Sequence, residues 1–351
     1  MPFEPLAGVQ VVQFAQYVPG PYCCLLLAQL GATVMKVEPP GGDPLVATQP
    51  GVYDLLNHLT SSTRLDLKTA AGKESAVELL ARSDVVVESM RPGKMEALGL
   101  GYSAVAGKNP AVIYCSISGF GQTGPLRDKV GHDLTYLAWA GVLSHPCDEW
   151  GLRKRPSVPL ADGSVAMSAA LSIVAAYAQR LKTGEGSYID VPIAESAAQF
   201  AVLRANWLND GSRLVSAGKY PHLVSSSEIY ETADGSLVAI SLHEDHFWRH
   251  FVERVGQGHG LEDQRFGTLE GRLSASAELR PFLERVFRSQ PTSHWQELAA
   301  DPDLPLELVQ SVDEMLASPH AVSRRMFSKH GTSHVMNFPA TINGLRVGAD
   351  A

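Results

Sequence analysis

Four cysteines in 351 residues leave little room for a covalent framework. Cys23, Cys24, Cys115 and Cys147 form no C-x-x-C pair and no evenly spaced set. That excludes a disulfide scaffold and a cysteine zinc site, and it points to a reducing compartment, the cytoplasm. Positive charge is short as well: 29 Lys and Arg against 37 Asp and Glu give a formal net charge of -8. A field of that sign excludes nucleic acid and an anionic membrane surface as partners, so an anionic small molecule needs a local cluster of cations. No uncharged run reaches membrane-spanning length, and the first residues carry Glu4 with no basic segment ahead of an apolar stretch. Neither a membrane span nor an export signal is expected. The chain also lacks G-x-G-x-x-G. After its first strand-like run stands Pro19-Gly20-Pro21, which excludes a nicotinamide dinucleotide site and leaves Glu38 only a weak echo of a ribose ligand.

What is there is an ordinary globular composition, 45% hydrophobic and 19% charged, long enough for two domains. Residues 9 to 40 read as strand, Gly-Pro turn, apolar helix, Gly stop and second strand. Further strands are expected at Arg64 to Leu67, Asp84 to Glu88 and Ala111 to Ile117, with a helix at Gly72 to Ala81, so the fold class is α/β with a mostly parallel sheet. The Ala-rich run Asp162 to Leu181 predicts a long helix that ends before Thr183-Gly184. A helical then polar connector leads to a hairpin over Glu228 to Leu242, with its turn at Ala233-Asp234-Gly235, and amphipathic helices follow to about Arg288. His294 to Ser328 reads as mainly helical, and the tail as irregular or strand-like. The resulting domains are 1–190, a linker over 191–219, a smaller α+β domain over 220–310, and a C-terminal segment over 311–351.

The stretch VGHDLTYLAWAG, Val130 to Gly141, sets an imidazole and a carboxylate at the head of a mostly apolar segment. Abstracting a proton from carbon beside a carbonyl needs a close base and donors for the enolate oxygen. An imidazole such as that of His132 can be base or acid near neutral pH. Asp162, at the expected start of the long helix, sits where the helix dipole and free N–H groups favour negative charge and can receive a thioester oxygen. Two bases on opposite faces of one α-carbon would erase its configuration. Plain alternatives stay open: Asp162 as an N-cap worth about 1 kcal/mol, Asp133 as a cap, and His132 as a surface histidine.

Seven stretches in order extend this reading: LAGVQVVQFAQYVPGP (6–21), LLAQLGATVMKVEPPGGDP (26–44), LDLKTAAGKE (65–74), SDVVVESMRPGKMEALGLGY (83–102), NPAVIYCSISGFGQTGP (109–125), the GHD of Gly131-His132-Asp133, and QRLKTGEGSYIDV (179–191). Together they resemble the family III CoA-transferases and the related α-methylacyl-CoA racemases. The resemblance implies a Rossmann-like large domain, a small domain and an interlocked homodimer. It also implies an acyl-CoA thioester as substrate, with coenzyme A part of that substrate and no tightly bound cofactor. The position of Asp162 is shared by both activities, as nucleophile in transferases and as proton-transfer base in racemases. The racemases carry the GHD histidine, matched by His132, and a small-domain glutamate, matched by Glu244 in LVAISLHEDHFW (237–248). Without the resemblance, Glu244 is an ordinary acidic helix start. The glycine-rich loop of several transferases is absent from HLVSSSEIYETADG (222–235), and their P-x-L-G-E-H-T-type ending is absent after Phe338-Pro339. Coenzyme A contacts are implied at Val18, Pro19, Leu65, Leu67, Ser89, Met90, Arg91, Lys129 and Asp133, with Arg91 and Lys129 as the cations for its phosphates. Pro39 stands where relatives often have an arginine, and Asp162-Gly163-Ser164-Val165 holds a single glycine where racemases are glycine-rich. Against these two departures, the GHD histidine, the small-domain glutamate and the absent transferase segments favour a 2-methylacyl-CoA racemase, with a CoA-transferase and a non-catalytic CoA-binding protein as the alternatives.

Overall fold

The computed structural model describes residues 3–144, 154–208, 223–255, 258–331 and 333–348. Cys147 and residues 209–219 of the expected 191–219 linker lie outside them. The chain divides into two compact units, one of Met1–Val142, Arg155–Phe200 and Leu316–Ala351, the other of Leu143–Lys154 and Ala201–Met315.

In the first unit six strands form one sheet: β1 (Gln10–Phe14), β2 (Thr33–Glu38), β3 (Thr60–Arg64), β4 (Val85–Glu88), β5 (Ile113–Ser118) and β6 (Ser187–Pro192). Their order is β3-β2-β1-β4-β5-β6, and every pairing is parallel. Strands β4 and β5 are buried throughout, as apolar runs covered on both faces should be. The strand order reverses between β1 and β4, and in open α/β sheets ligands settle beyond the carboxyl ends at such a point.

Strand β3 departs from the sequence reading. It covers Thr60–Arg64, and Leu65 and Leu67 lie past its end. It is the edge strand and mostly unburied, so polar Thr and Ser suffice and no apolar alternation marks it. The connector expected from residue 191, helical and then polar, begins with the end of β6 and a helix, Ile193–Leu208.

The long helix runs over Leu160–Thr183 and starts two residues before Asp162, directly after Pro159, and ends at Gly184 in the left-handed conformation. Among the described residues it is the one helix long and apolar enough to cross a membrane. Its small side chains, Ala161, Ala166, Ala169 and Ala170, form a buried face that permits close packing on β5, β6, the helix Pro19–Gln29 and the helix Asp133–Trp139.

Beyond the end of β2 the chain turns on a buried charge network. Lys36 is 1% exposed, and its Nζ lies 2.7 Å from Asp43 and 3.0 Å from Asn57 Oδ1, with the Tyr53 ring 4.9 Å away. Asp43 also accepts the N–H of Leu45, and Glu38 accepts the Tyr53 hydroxyl at 2.8 Å. Removing Asp43 leaves the buried Lys36 with Glu38, 3.9 Å away, as its remaining charged partner. Asp43→Ala should therefore destabilise the protein by about 3–5 kcal/mol in equilibrium unfolding, whereas a loss below about 1 kcal/mol would mean that water replaces the carboxylate.

The second unit holds a three-stranded antiparallel sheet, β7 (Ile229–Glu231), β8 (Leu237–Ile240) and β9 (Leu306–Leu308), in the order β7-β8-β9. The hairpin turn contains Gly235 at φ 85. Strand β9 lies in the stretch read as mainly helical. Three residues between Pro305 and exposed Val309 are too short to show a period. Trp248, Phe251, Phe287 and Trp295 fill the core of this unit, with Tyr230 stacked on Phe287 at 4.9 Å.

Candidate functional site

Two cavities open in the first unit beyond the carboxyl ends of its strands. The first, about 680 Å³, is walled by the segments after β1 (Gln16, Tyr17), β2 (Pro39, Pro40), β3 (Leu65 to Lys68) and β4 (Ser89, Met90, Arg91), with Lys94 at its side. The second, about 490 Å³, is walled by the same β1 and β4 segments together with Pro19, Ser118, Gly119, Arg127, Lys129, His132, Tyr136 and Asp162. Gln16, Tyr17, Ser89, Met90 and Arg91 belong to both. The arrangement suits a long ligand: Lys68, Arg91 and Lys94 line the first chamber together with Glu38 and Asp66, and Arg91, Arg127 and Lys129 line the second together with Asp128, His132 and Asp162.

His132 and Asp162 line the same chamber from different helix starts. His132 precedes the helix Asp133–Trp139, and its backbone N–H donates to the Thr135 hydroxyl at 2.9 Å, which anchors the start of that helix. Asp162 stands in the first turn of the long helix but is not its cap; that position is Pro159. The cap function falls to Asp133, whose Oδ1 accepts the N–H groups of Ala161 at 2.7 Å and Asp162 at 3.1 Å. The adjacent histidine and aspartate of GHD therefore divide the work. One faces the chamber, and the other ties the two helix starts together.

Asp133, expected at coenzyme A, lines neither cavity, and its Oδ1 ties the two helix starts together. The same geometry corrects one expectation. The N–H groups at the start of the long helix are not open to a thioester oxygen: Leu160 donates to Val158, Ala161 and Asp162 donate to Asp133, and Gly163 donates to Pro159. A carboxylate of the chain itself accepts two of these N–H groups.

Burial, and then the Asp133 charge, push the Asp162 carboxyl up to about 7. A proton is thus held more tightly in the folded than in the unfolded chain, and stability falls as pH rises from about 4 to about 7. The penalty for the ionised form is on the order of 4 kcal/mol. Asp162→Asn removes it, so the melting temperatures of variant and wild type should diverge as pH is raised, with the variant the more stable above pH 7. A constant offset across that range would place the carboxyl near its ordinary value. Tyr136, whose hydroxyl donates to Gly131 O at 2.9 Å, is likewise pushed up by burial and by the Asp162 charge. Burial also lifts Glu88 to about 7, and its Oε2 accepts the Met90 N–H at 2.8 Å, which braces the segment shared by the two cavities.

Of the other expected residues, Leu65 and Leu67 line the first cavity, Pro19 and Lys129 the second, and Ser89, Met90 and Arg91 both. Val18 lines neither and packs against the Leu25, Leu45 and Leu56 cluster. Its neighbour Tyr17 takes the wall position, at φ 62, left-handed backbone that a bulky residue rarely adopts. No sequence signal marks that conformation. Gln16, Arg127 and Tyr136 are further wall residues that motif reading missed, and Glu38, a weak echo of a ribose ligand in the sequence, lines the first cavity. Only Tyr136 carried a clue, one helical turn after His132. Glu244 belongs to the other unit, exposed directly before the helix Asp245–Val255, with its carbonyl accepting the N–H of Trp248 at 3.1 Å.

Known proteins agree with this architecture. The succinyl-CoA–D-citramalate CoA-transferase of Chloroflexus aurantiacus is 32% identical over 92% of this chain and 83% of its own length. Human alpha-methylacyl-CoA racemase is 30% identical over 96% of this chain and 86% of its own. The crystal structure of a CAIB/BAIF family protein from Brucella suis superposes with a TM-score of 0.87 at 26% identity, covering 99% of this chain and 95% of that one. The family model described as CoA-transferase family III matches residues 6–349. With an acidic residue and a histidine facing one chamber beside a second, cation-lined one, and with that match spanning nearly its whole length, the chain belongs to the CoA-transferase family III.

Proposed function

We propose that this protein is an acyl-CoA racemase that inverts the α-carbon of a 2-methylacyl-CoA. The observation that carries the reading is the presence of His132 and Asp162 in the wall of one chamber, with the Asp162 carboxyl lifted to about 7. A carboxyl at that value holds and releases a proton with little cost near neutral pH, which suits a group that must be base in one direction and acid in the other. Coenzyme A occupies the 680 Å³ chamber, with Lys68, Arg91 and Lys94 for its phosphates, and the thioester passes Tyr17 and Met90 into the 490 Å³ chamber. One of the two bases takes the α-proton, the electron pair moves into the enolate, and the other base returns a proton to the opposite face.

The same proposal assigns Glu244 to orienting His132 and raising its basicity, from the small domain of a second copy in an interlocked, Rossmann-like homodimer. The family resemblance supports that assignment, as do the exposed apolar side chains of the two long helices, Leu171 at 72% and Leu203 at 65%. The cytoplasm is the compartment we assign, on the cysteine content.

A second reading, a CoA-transferase with Asp162 as nucleophile, is favoured by relatives such as the Chloroflexus enzyme. A single enantiomer of a 2-methylacyl-CoA, incubated without any free acid, separates the two. Drift to an equal mixture of enantiomers, read by chiral chromatography after hydrolysis, supports the racemase. Retained configuration, with coenzyme A transfer appearing once carboxylic acids are added, assigns the transferase.

A further inference from the structure

The second unit contains a buried cation that the proton transfer does not use. Arg272, in the helix Leu269–Ser274, is 0% exposed. Its Nη1 donates to Phe266 O at 2.9 Å, and its Nη2 donates to His243 O at 2.7 Å, Leu242 O at 3.3 Å and Asp245 Oδ1 at 3.2 Å. The guanidinium carbon lies 5.2 Å from the centre of the Trp248 ring, while Nε has no acceptor. Asp245 Oδ1 also accepts the N–H of Leu269 at 2.7 Å, so the carboxylate joins the same junction.

A buried guanidinium loses its hydration, and an apolar side chain of similar volume generally fills such a space at lower cost. The charge therefore calls for a reason other than filling the core. Three of its four acceptors lie on residues 242, 243 and 245, immediately on either side of Glu244. The planar fork of an arginine can fix two carbonyls and a carboxylate together, which the single ammonium of a lysine cannot reproduce. Glu244 itself stays exposed, on a backbone pinned from both sides.

We propose that Arg272 is a positioning residue for catalysis: it clamps the 242–245 segment so that the Glu244 carboxylate is held in one direction. The proposal rests on the reading of Glu244 as the group that supports His132. A clamp acting through Glu244 has no further effect once that carboxylate is gone, whereas an arginine that merely stabilises the fold acts equally in both backgrounds.

The test is a double-mutant cycle of Arg272→Lys and Glu244→Ala in the full-length protein, reading α-proton exchange of a 2-methylacyl-CoA in D₂O, with melting temperature and circular dichroism recorded for each variant. Arg272→Lys should lower kcat about tenfold with KM nearly unchanged, and should change it less than about twofold when Glu244 is already alanine. Asp245→Asn, which leaves the arginine's three carbonyl bonds in place, should show the same non-additivity with a smaller single effect and serves if the lysine variant does not fold. Equal losses in both backgrounds, or an unchanged kcat, would overturn the proposal. Glu244→Ala with full activity would instead remove the Glu244 assignment, and the clamp with it. Absence of exchange in the wild type would remove the racemase reading on which both depend.

Discussion

Asp162→Asn is expected to lower turnover by about 10³–10⁴-fold, the scale of a lost general acid or base, while binding of coenzyme A stays within about threefold of wild type. The separation follows from position. Asp162 lines the 490 Å³ chamber only, and the wall of the 680 Å³ chamber contains none of the proton-transfer groups. Relief of the buried charge should make the variant more stable at alkaline pH, so the lost activity cannot be attributed to unfolding. Kinetics together with calorimetric titration of coenzyme A check both halves. A loss below about tenfold, or binding that fails together with turnover, would mean that Asp162 serves the fold and not the reaction.

His132→Ala carries the second large effect, and its form matters more than its size. In a two-base mechanism each enantiomer gives its α-proton to a different group. With the imidazole gone, the enantiomer facing His132 should lose exchange by about 10²–10³-fold, while the one facing Asp162 still exchanges with solvent and keeps its configuration. Racemisation should stop although one exchange continues. Separate incubation of the two enantiomers in D₂O, with configuration and deuterium content measured together, reads this directly. Equal loss for both enantiomers would contradict two opposed bases. Coenzyme A transfer to an added acid that survives His132→Ala within about tenfold would favour Asp162 as a nucleophile.

The parts of this site that could be read in the sequence are those whose signals are local. Strands β4 and β5 are apolar runs between turn residues, and the long helix declares itself by alanine and by the glycine that ends it. Strand β3 is polar because it is an edge, and β9 has three residues, so neither offers a pattern. The misreadings at the site share another cause. Asp162 looks like a cap because the true cap is supplied by Asp133, 29 residues earlier in the chain, and only folding brings the two together. That same contact closes the N–H groups that sequence reasoning offered to the enolate and leaves a second carboxylate beside the first, which helps lift Asp162 to about 7. Tyr17 escaped notice in favour of Val18 because a left-handed backbone at a bulky residue is sustained by its surroundings and by no motif of its own. Arg272 is a single arginine in an amphipathic stretch until its acceptors on both sides of Glu244 are seen.

The most direct test of the central claim is proton NMR of a 2-methylacyl-CoA incubated with the wild-type protein in D₂O and no added carboxylic acid. Two-base proton transfer predicts loss of the α-proton signal and collapse of the neighbouring methyl doublet for both enantiomers, with exchange confined to the enantiomer facing His132 in Asp162→Asn. An unchanged α-proton signal, followed by movement of coenzyme A when free acids are supplied, would contradict it and make the Asp162 carboxylate a nucleophile.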